Sequence, residues 1–162
     1  MRLALVALLL PIVGACSHIT NGSSNKSCAG QFDLGGLGEP LGSSTALYTE
    51  MRNALHAGQP IRMEELTRAA GWTDGWDSMA DVGSNTNEDV LNRIAQTPGY
   101  CWSGLPGVKM PVPEGDYLFF KDHVPVQKVH WRGDTLPLTL RVGVSLTPQS
   151  QLVVSGPRFA PA

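Results

Sequence analysis

The apolar residues change period along the chain, and that change decides the class of fold. Leu47, Met51 and Leu55 recur every four residues, the spacing that lays one stripe along a helix. Ser43 or Ser44 can cap this helix, which is expected from about Thr45 to Ala57; Gly58 stops it and Pro60 prevents continuation. A second short helix is expected from Met63 to Ala70, with Met63, Leu66 and Ala70 on one side and Gly71 at its end. A third runs from Asn87 to about Gln96 and buries Val90, Leu91 and Ile94. Asn85 and Thr86, followed by Glu88 and Asp89, read as its capping box.

The strands come mainly later. Trp76 to Val82 reads as a first short strand, and Ser103 to Gly115, rich in proline and glycine, as a loop. Tyr117 to Phe120 is a strand, Lys121-Asp122-His123 a turn, Val124 to Trp131 the return strand, and Arg132-Gly133-Asp134 the next turn. Leu138, Leu140, Val142, Val144 and Leu146 then alternate with Thr139, Arg141, Gly143 and Ser145, as in a half-buried antiparallel strand. Leu152 to Ser155 pairs back after Thr147-Pro148-Gln149-Ser150. Helices first and strands second predict an α+β fold, with two or three short helices packed on one face of a four- to five-stranded antiparallel meander.

The N-terminus carries a different kind of signal. Arg2 gives a positive start, and Leu3 to Val13 form an apolar run interrupted by Pro11. That run is too short to span a bilayer and has the length of a signal-peptide core. It ends in Val13-Gly14-Ala15-Cys16. These four residues resemble the lipobox of bacterial lipoproteins, with Val where Leu is commoner. The resemblance implies cleavage before Cys16 and a diacylglycerol on its thiol. The chain then divides into a signal peptide (1–15), a lipid-modified Cys16 with a flexible tether (16–42), one α+β domain (43–156) and a loose tail (157–162). The implied location is the extracytoplasmic face of the cell membrane, held by acyl chains.

If lipid occupies Cys16, two of the three cysteines remain. Exported proteins meet an oxidising compartment, so an even remainder reads as a disulfide, Cys28–Cys101. Without residues 1–15, Lys+Arg falls from 12 to 11 against Asp+Glu 14, a charge of about −3. That balance argues against a nucleic-acid partner and supplies no polybasic patch for a membrane, so attachment falls to the lipid.

Chemistry is hard to find. No Gly-x-Ser-x-Gly marks a serine nucleophile. The histidines His18, His56, His123 and His130 form no paired metal motif, and Gly35-Gly36-Leu37-Gly38 lacks the Lys-Ser/Thr of a phosphate loop. We therefore assign no catalytic residue, metal or cofactor. Asp74, Asp77 and Asp81 around Trp76 read as turn and cap residues. Arg132-Gly133-Asp134 spells an adhesion tripeptide but is accounted for as a turn. Trp72 and Trp102 are the candidate binding surface, since exposed tryptophans anchor interfaces, while Trp76 is placed under the sheet.

Beyond Cys16, the order Trp76-Asp77, a strand, Thr86 and Asn92 on a short helix, and then a meander is similar to small lipoprotein domains of unassigned function in actinobacteria. The resemblance implies a non-enzymatic binding or envelope-assembly role with an envelope protein as partner. Two other readings stand beside it: an immunity-type inhibitor of an envelope-acting toxin or hydrolase, and a small cell-wall glycan hydrolase. The last requires two carboxylates facing a cleft near Trp72 or Trp102.

Overall fold

A computed structural model describes residues 27–84, 86–106, 112–133 and 137–162. The expected signal peptide, Cys16, the first part of the expected tether, Asn85 and Asp134 lie outside the described residues. In chain order the elements are β1 (Gln31–Asp33), a 3-10 turn (Leu34–Gly36), α1 (Ser44–Ala57), β2 (Ile61–Arg62), α2 (Met63–Ala69) and β3 (Ser78–Gly83). There follow α3 (Glu88–Ala95), β4 (Cys101–Ser103), β5 (Glu114–Lys121), β6 (Val124–Arg132), β7 (Ser145–Leu146), β8 (Gln151–Ser155) and β9 (Arg158–Pro161). The class is α+β, with three α-helices and predominantly antiparallel sheets among the described residues.

The helix ends follow their local chemistry. The Ser43 hydroxyl accepts the Ala46 N–H at 3.3 Å, and Gly58, at φ 69°, returns its N–H to the carbonyls of Ala54 and Leu55. Only glycine adopts that left-handed turn without strain. In α2 the Glu65 carboxylate accepts the Arg62 N–H at 3.0 Å. The cap of α3 is Asn87, whose side chain accepts the Val90 N–H at 3.0 Å. Thr86 instead accepts the Gly83 N–H at 3.1 Å, closing the turn out of β3.

The main sheet has the order β6-β5-β3-β7. β5 and β6 form the expected hairpin, turning through Asp122 and His123, both at positive φ. β8 and β9 form a second hairpin, which β2 extends to three strands. β1 and β4 make a separate parallel pair.

The arrangement differs from the sequence reading in four respects. Helices cover both faces of the main sheet. Met79, Tyr117, Phe119 and Val129 pack with Leu47, Met51 and Leu66 of α1 and α2, whereas Ala80, Val82, Leu118 and Phe120 pack with Leu91 and Ala95 of α3. The alternation expected from Leu138 to Leu146 holds only at its ends, since Val142 is 57% exposed, and the run is not one strand. Leu138, Leu140 and Leu146 are buried, while a turn through Val142 and Gly143 breaks the ladder, and only Ser145–Leu146 pairs with β3.

The C-terminus is not loose. β9 pairs with β8, and Phe159 is fully buried, its N–H and C=O engaged by Pro137 and Thr139. Finally, much of the expected tether is folded. Leu34 and Leu41 are core residues, and the buried Gln127 amide clamps the connector, accepting from the Leu41 N–H and donating to the Gly42 carbonyl, each at 2.9 Å. A glycine-rich segment reads as flexible only when no buried side chain satisfies its backbone, and Gln127 does so here.

Cys28 and Cys101 are joined, with Cα atoms 5.6 Å apart across a sequence separation of 73. The bond ties the start of the folded chain to β4.

Candidate functional site

β6 is an outer strand of the main sheet, so carbonyls on its open edge need partners. Tyr48 of α1 supplies one, its hydroxyl donating to the His130 carbonyl at 2.7 Å. This contact props α1 against β6 and leaves a groove of about 650 Å³ between them. Thr45, Tyr48, Thr49 and Arg52 line one side; positions three, four and seven apart share a helix face. Val112, His130 and Arg132 line the other.

A smaller cleft of about 200 Å³ is lined by Asp81, Thr86, Pro113, Glu114, Trp131 and Val142, among others. Trp131 reaches from β6 across β5 to β3, where its indole N–H donates to Asp81 Oδ1 at 2.9 Å. The span requires a bare backbone beneath the ring. A Cβ on Gly115 would lie 2.6 Å from the indole and 2.5 Å from the Val82 carbonyl oxygen.

Acidic and aromatic groups cluster around this contact. Asp116 is only 5% exposed and lies 3.2 Å from His130 Nδ1; Glu114 stands 4.0 Å from His130 Nε2. Burial pushes the Asp81 carboxyl up to about 6, Asp116 adds to the rise, and the Trp131 hydrogen bond opposes it. Burial, then the charge of Asp116, holds the Tyr48 hydroxyl well above its ordinary range. Tyr117 is raised likewise, chiefly by burial; its hydroxyl donates to the Leu138 carbonyl at 2.6 Å.

The two tryptophans expected at a binding surface are buried, each 6% exposed. Trp72 packs edge-on to Phe119 at 4.9 Å and donates to the Ser43 carbonyl at 2.9 Å. Trp102 packs on Phe32 at 4.8 Å and donates to Asn92 Oδ1 at 2.8 Å. Both indole N–H groups serve the interior, so neither ring offers a recognition face. Trp76 does lie in the core, against Phe119.

Asp77 accepts the Asp122 N–H at 2.7 Å and is a turn residue, as expected. Asp81 is not; its carboxylate faces the smaller cleft together with Glu114, beside Trp131 rather than Trp72 or Trp102. The groove residues Tyr48, Arg52 and Arg132 escaped the sequence reading. Their nearest signal is that Tyr48 and Arg52 stand outside the apolar stripe of α1, which marks an exposed flank but not what faces it. Comparison with protein-family models, curated proteins and solved structures found no match to this chain.

Proposed function

We propose that this chain is an exported lipoprotein, held to the extracytoplasmic face of the cell membrane by a lipid on Cys16, and that it acts by binding rather than catalysis. Its ligand, on an envelope protein partner, occupies the groove between α1 and β6. The observation that carries the reading is the groove itself. At about 650 Å³ it falls within the range of ligand sites. Its walls are mainly a capped helix and a paired strand, with Val112 beside the strand.

Among the described residues no helix is long and apolar enough to cross a membrane. The Cys28–Cys101 bond accords with an oxidising compartment.

Two measurements test the proposal. The intact mass of membrane-extracted protein should equal residues 16–162 plus diacylglycerol; an unlipidated mass would remove the anchor. A photo-crosslinking residue at Thr49, used in intact cells, should give a discrete adduct that the same residue at Arg93, on α3, does not. Identical adduct patterns from the two positions would refute the groove as the binding site.

A second reading, the glycan hydrolase, is favoured by the smaller cleft, where Asp81 with its raised pKa faces the same space as Glu114. An acid near neutrality beside a second carboxylate suits glycoside hydrolysis. The cleft, at about 200 Å³, is below the usual size of ligand pockets, which ranks this reading second. Release of reducing sugar from purified cell wall, abolished in Asp81→Asn, would reverse that order.

A further inference from the structure

We infer that the Cys28–Cys101 bond is a redox latch: a dithiol that reduces it releases residues 28–33 from β4 and leaves the rest of the domain folded.

Three observations carry it. The first is where the bond lies. Cys28 is exposed and Cys101 half-buried, so the bond stands at the surface, where a thiolate can attack it. It joins the chain just before β1 to the first residue of β4.

The second is how differently the two strands are held. β4 is fastened to α3. The Trp102 N–H donates to Glu88 Oε1 at 3.1 Å, the Trp102 indole to Asn92 Oδ1 at 2.8 Å, and Asn92 Nδ2 to the Tyr100 carbonyl at 2.9 Å. β1 is three residues long, with Gln31 and Asp33 exposed, and among the described residues it pairs with β4 alone. A two-stranded pair of this length is marginal by itself.

The third is the anchor at the other end. Leu34 directly follows β1 and is fully buried, in a cluster with Leu91, Leu118 and Phe120. With the bond intact, the segment is tied at Cys28 and again at Leu34. Once the bond is reduced, the tie at Leu34 remains and the six residues from Cys28 to Asp33 hinge there. Their docking costs conformational freedom. Against that stand a short ladder, the contacts of Phe32 with Tyr100 and Trp102, and the Ser103–Asp33 hydrogen bond. Segments that lose a tie at the margin of a domain are the first to open.

The chemistry is thiol–disulfide exchange. A thiolate of the dithiol bonds to Cys28 Sγ, and Cys101 Sγ leaves with the electron pair and takes up a proton. The second thiol then loses its proton and attacks its partner sulfur in the mixed disulfide, and Cys28 leaves and is protonated. The dithiol ends oxidised to a disulfide, and the protein gains two thiols. Where a lipid on Cys16 holds the chain, release lengthens the tether by the six freed residues, at most about 20 Å. That lengthening rests on the lipid reading, whereas the release does not.

The test uses the full-length protein in detergent, with dithiothreitol as the dithiol and amide hydrogen exchange followed by NMR. The Ala29 N–H donates to the Gly99 carbonyl at 2.9 Å and the Cys101 N–H to the Gly30 carbonyl at 3.0 Å, so both report docking of the segment. The Trp102 N–H reports the hold of α3 on β4, and Leu118, between β3 and β6, reports the core. All four should be protected in the oxidised protein. After reduction, Ala29 and Cys101 should exchange within about tenfold of an unstructured peptide, while Trp102 and Leu118 stay at least a hundredfold slower than one.

If Ala29 and Cys101 remain as slow as Trp102, the segment stays docked without the bond and the inference is overturned. Exchange of all four at the unstructured rate also overturns it, because the bond would then hold the whole fold. So would thiols that appear only after denaturant is added, which would show a bond closed to the reductant. Intact mass reads lipidation separately, so failure of the anchor reading leaves the exchange result standing.

Discussion

Replacing Asp81 by asparagine should stabilise this protein at neutral pH. The carboxyl titrates near 6 in the folded state against an ordinary value of 3.8, and burial is the main cause. A raised carboxylate pKa means that the native state binds the proton more tightly than the unfolded state does. Between about pH 4 and 6 the native state therefore holds more protons, and stability falls as pH rises. Below that window both states are protonated and Asp81 contributes nothing; above it the penalty for the desolvated charge is complete.

The gap of 3.8 to about 6 corresponds to about 3 kcal/mol. Asp81 lines an open cleft and is part-exposed, so solvent screening reduces this to about 1–2 kcal/mol. Asparagine has nearly the same shape, and its carbonyl oxygen can still accept the Trp131 N–H that Asp81 accepts at 2.9 Å. The substitution removes the charge and keeps the contact. The assay is urea unfolding of wild type and Asp81→Asn at pH 4.0, 5.0, 6.0 and 7.5. The difference between the two isolates this group from the other acids. The variant should match wild type at pH 4.0 and exceed it by about 1–2 kcal/mol at pH 7.5, a melting shift of roughly 4–8 °C. A difference that does not vary with pH would show that Asp81 titrates normally. A variant less stable at pH 7.5 would show that the ionised carboxylate is worth more to Trp131 than its burial costs.

Three further outcomes follow from the packing. Changing both Cys28 and Cys101 to serine opens a closure of 73 residues and should lower stability by up to about 4 kcal/mol, seen as a fall in the urea midpoint that reduction of the wild type reproduces. Phe159→Ala empties a fully buried position and should cost about 3–5 kcal/mol by the same measurement; a change below 1 kcal/mol would mean that the C-terminal strand is not part of the core. Gly115→Ala forces a methyl into the space of the Trp131 ring and the Val82 carbonyl and should cost about 1–3 kcal/mol, with a red shift in tryptophan emission as the indole is displaced.

Much of this fold was legible because its elements announce themselves locally. The stripe of Leu47 and Met51, the stop at Gly58 and the Asp122-His123 turn each decide a boundary within a few residues. The sequence also held one clue that the one-face reading passed over. Tyr117-Leu118-Phe119-Phe120 is continuously apolar, and every one of these residues is fully buried. A strand with one solvated face alternates; an unbroken run requires cover on both sides, which α3 provides. Leu138 to Leu146 misled in the opposite direction, since an alternating pattern can run through a turn, here at Val142 and Gly143, where Val142 is exposed.

The groove could not be read in this way, because its parts are not neighbours in the chain. Arg52 and Arg132 gain a shared meaning only where α1 lies beside β6, and that contact depends on a hydrogen bond from Tyr48 to a carbonyl 82 positions away. Trp72 and Trp102 show the converse error. A tryptophan near the end of an element looks available for recognition until its N–H finds an interior acceptor, and Ser43 and Asn92 supply both acceptors here. Residue type marks what a side chain can do, whereas the acceptors and cavities around it decide which of those things it does. In this protein that decision sends the tryptophans inward and gathers Tyr48, Arg52, His130 and Arg132 along one groove that no sequence motif marks.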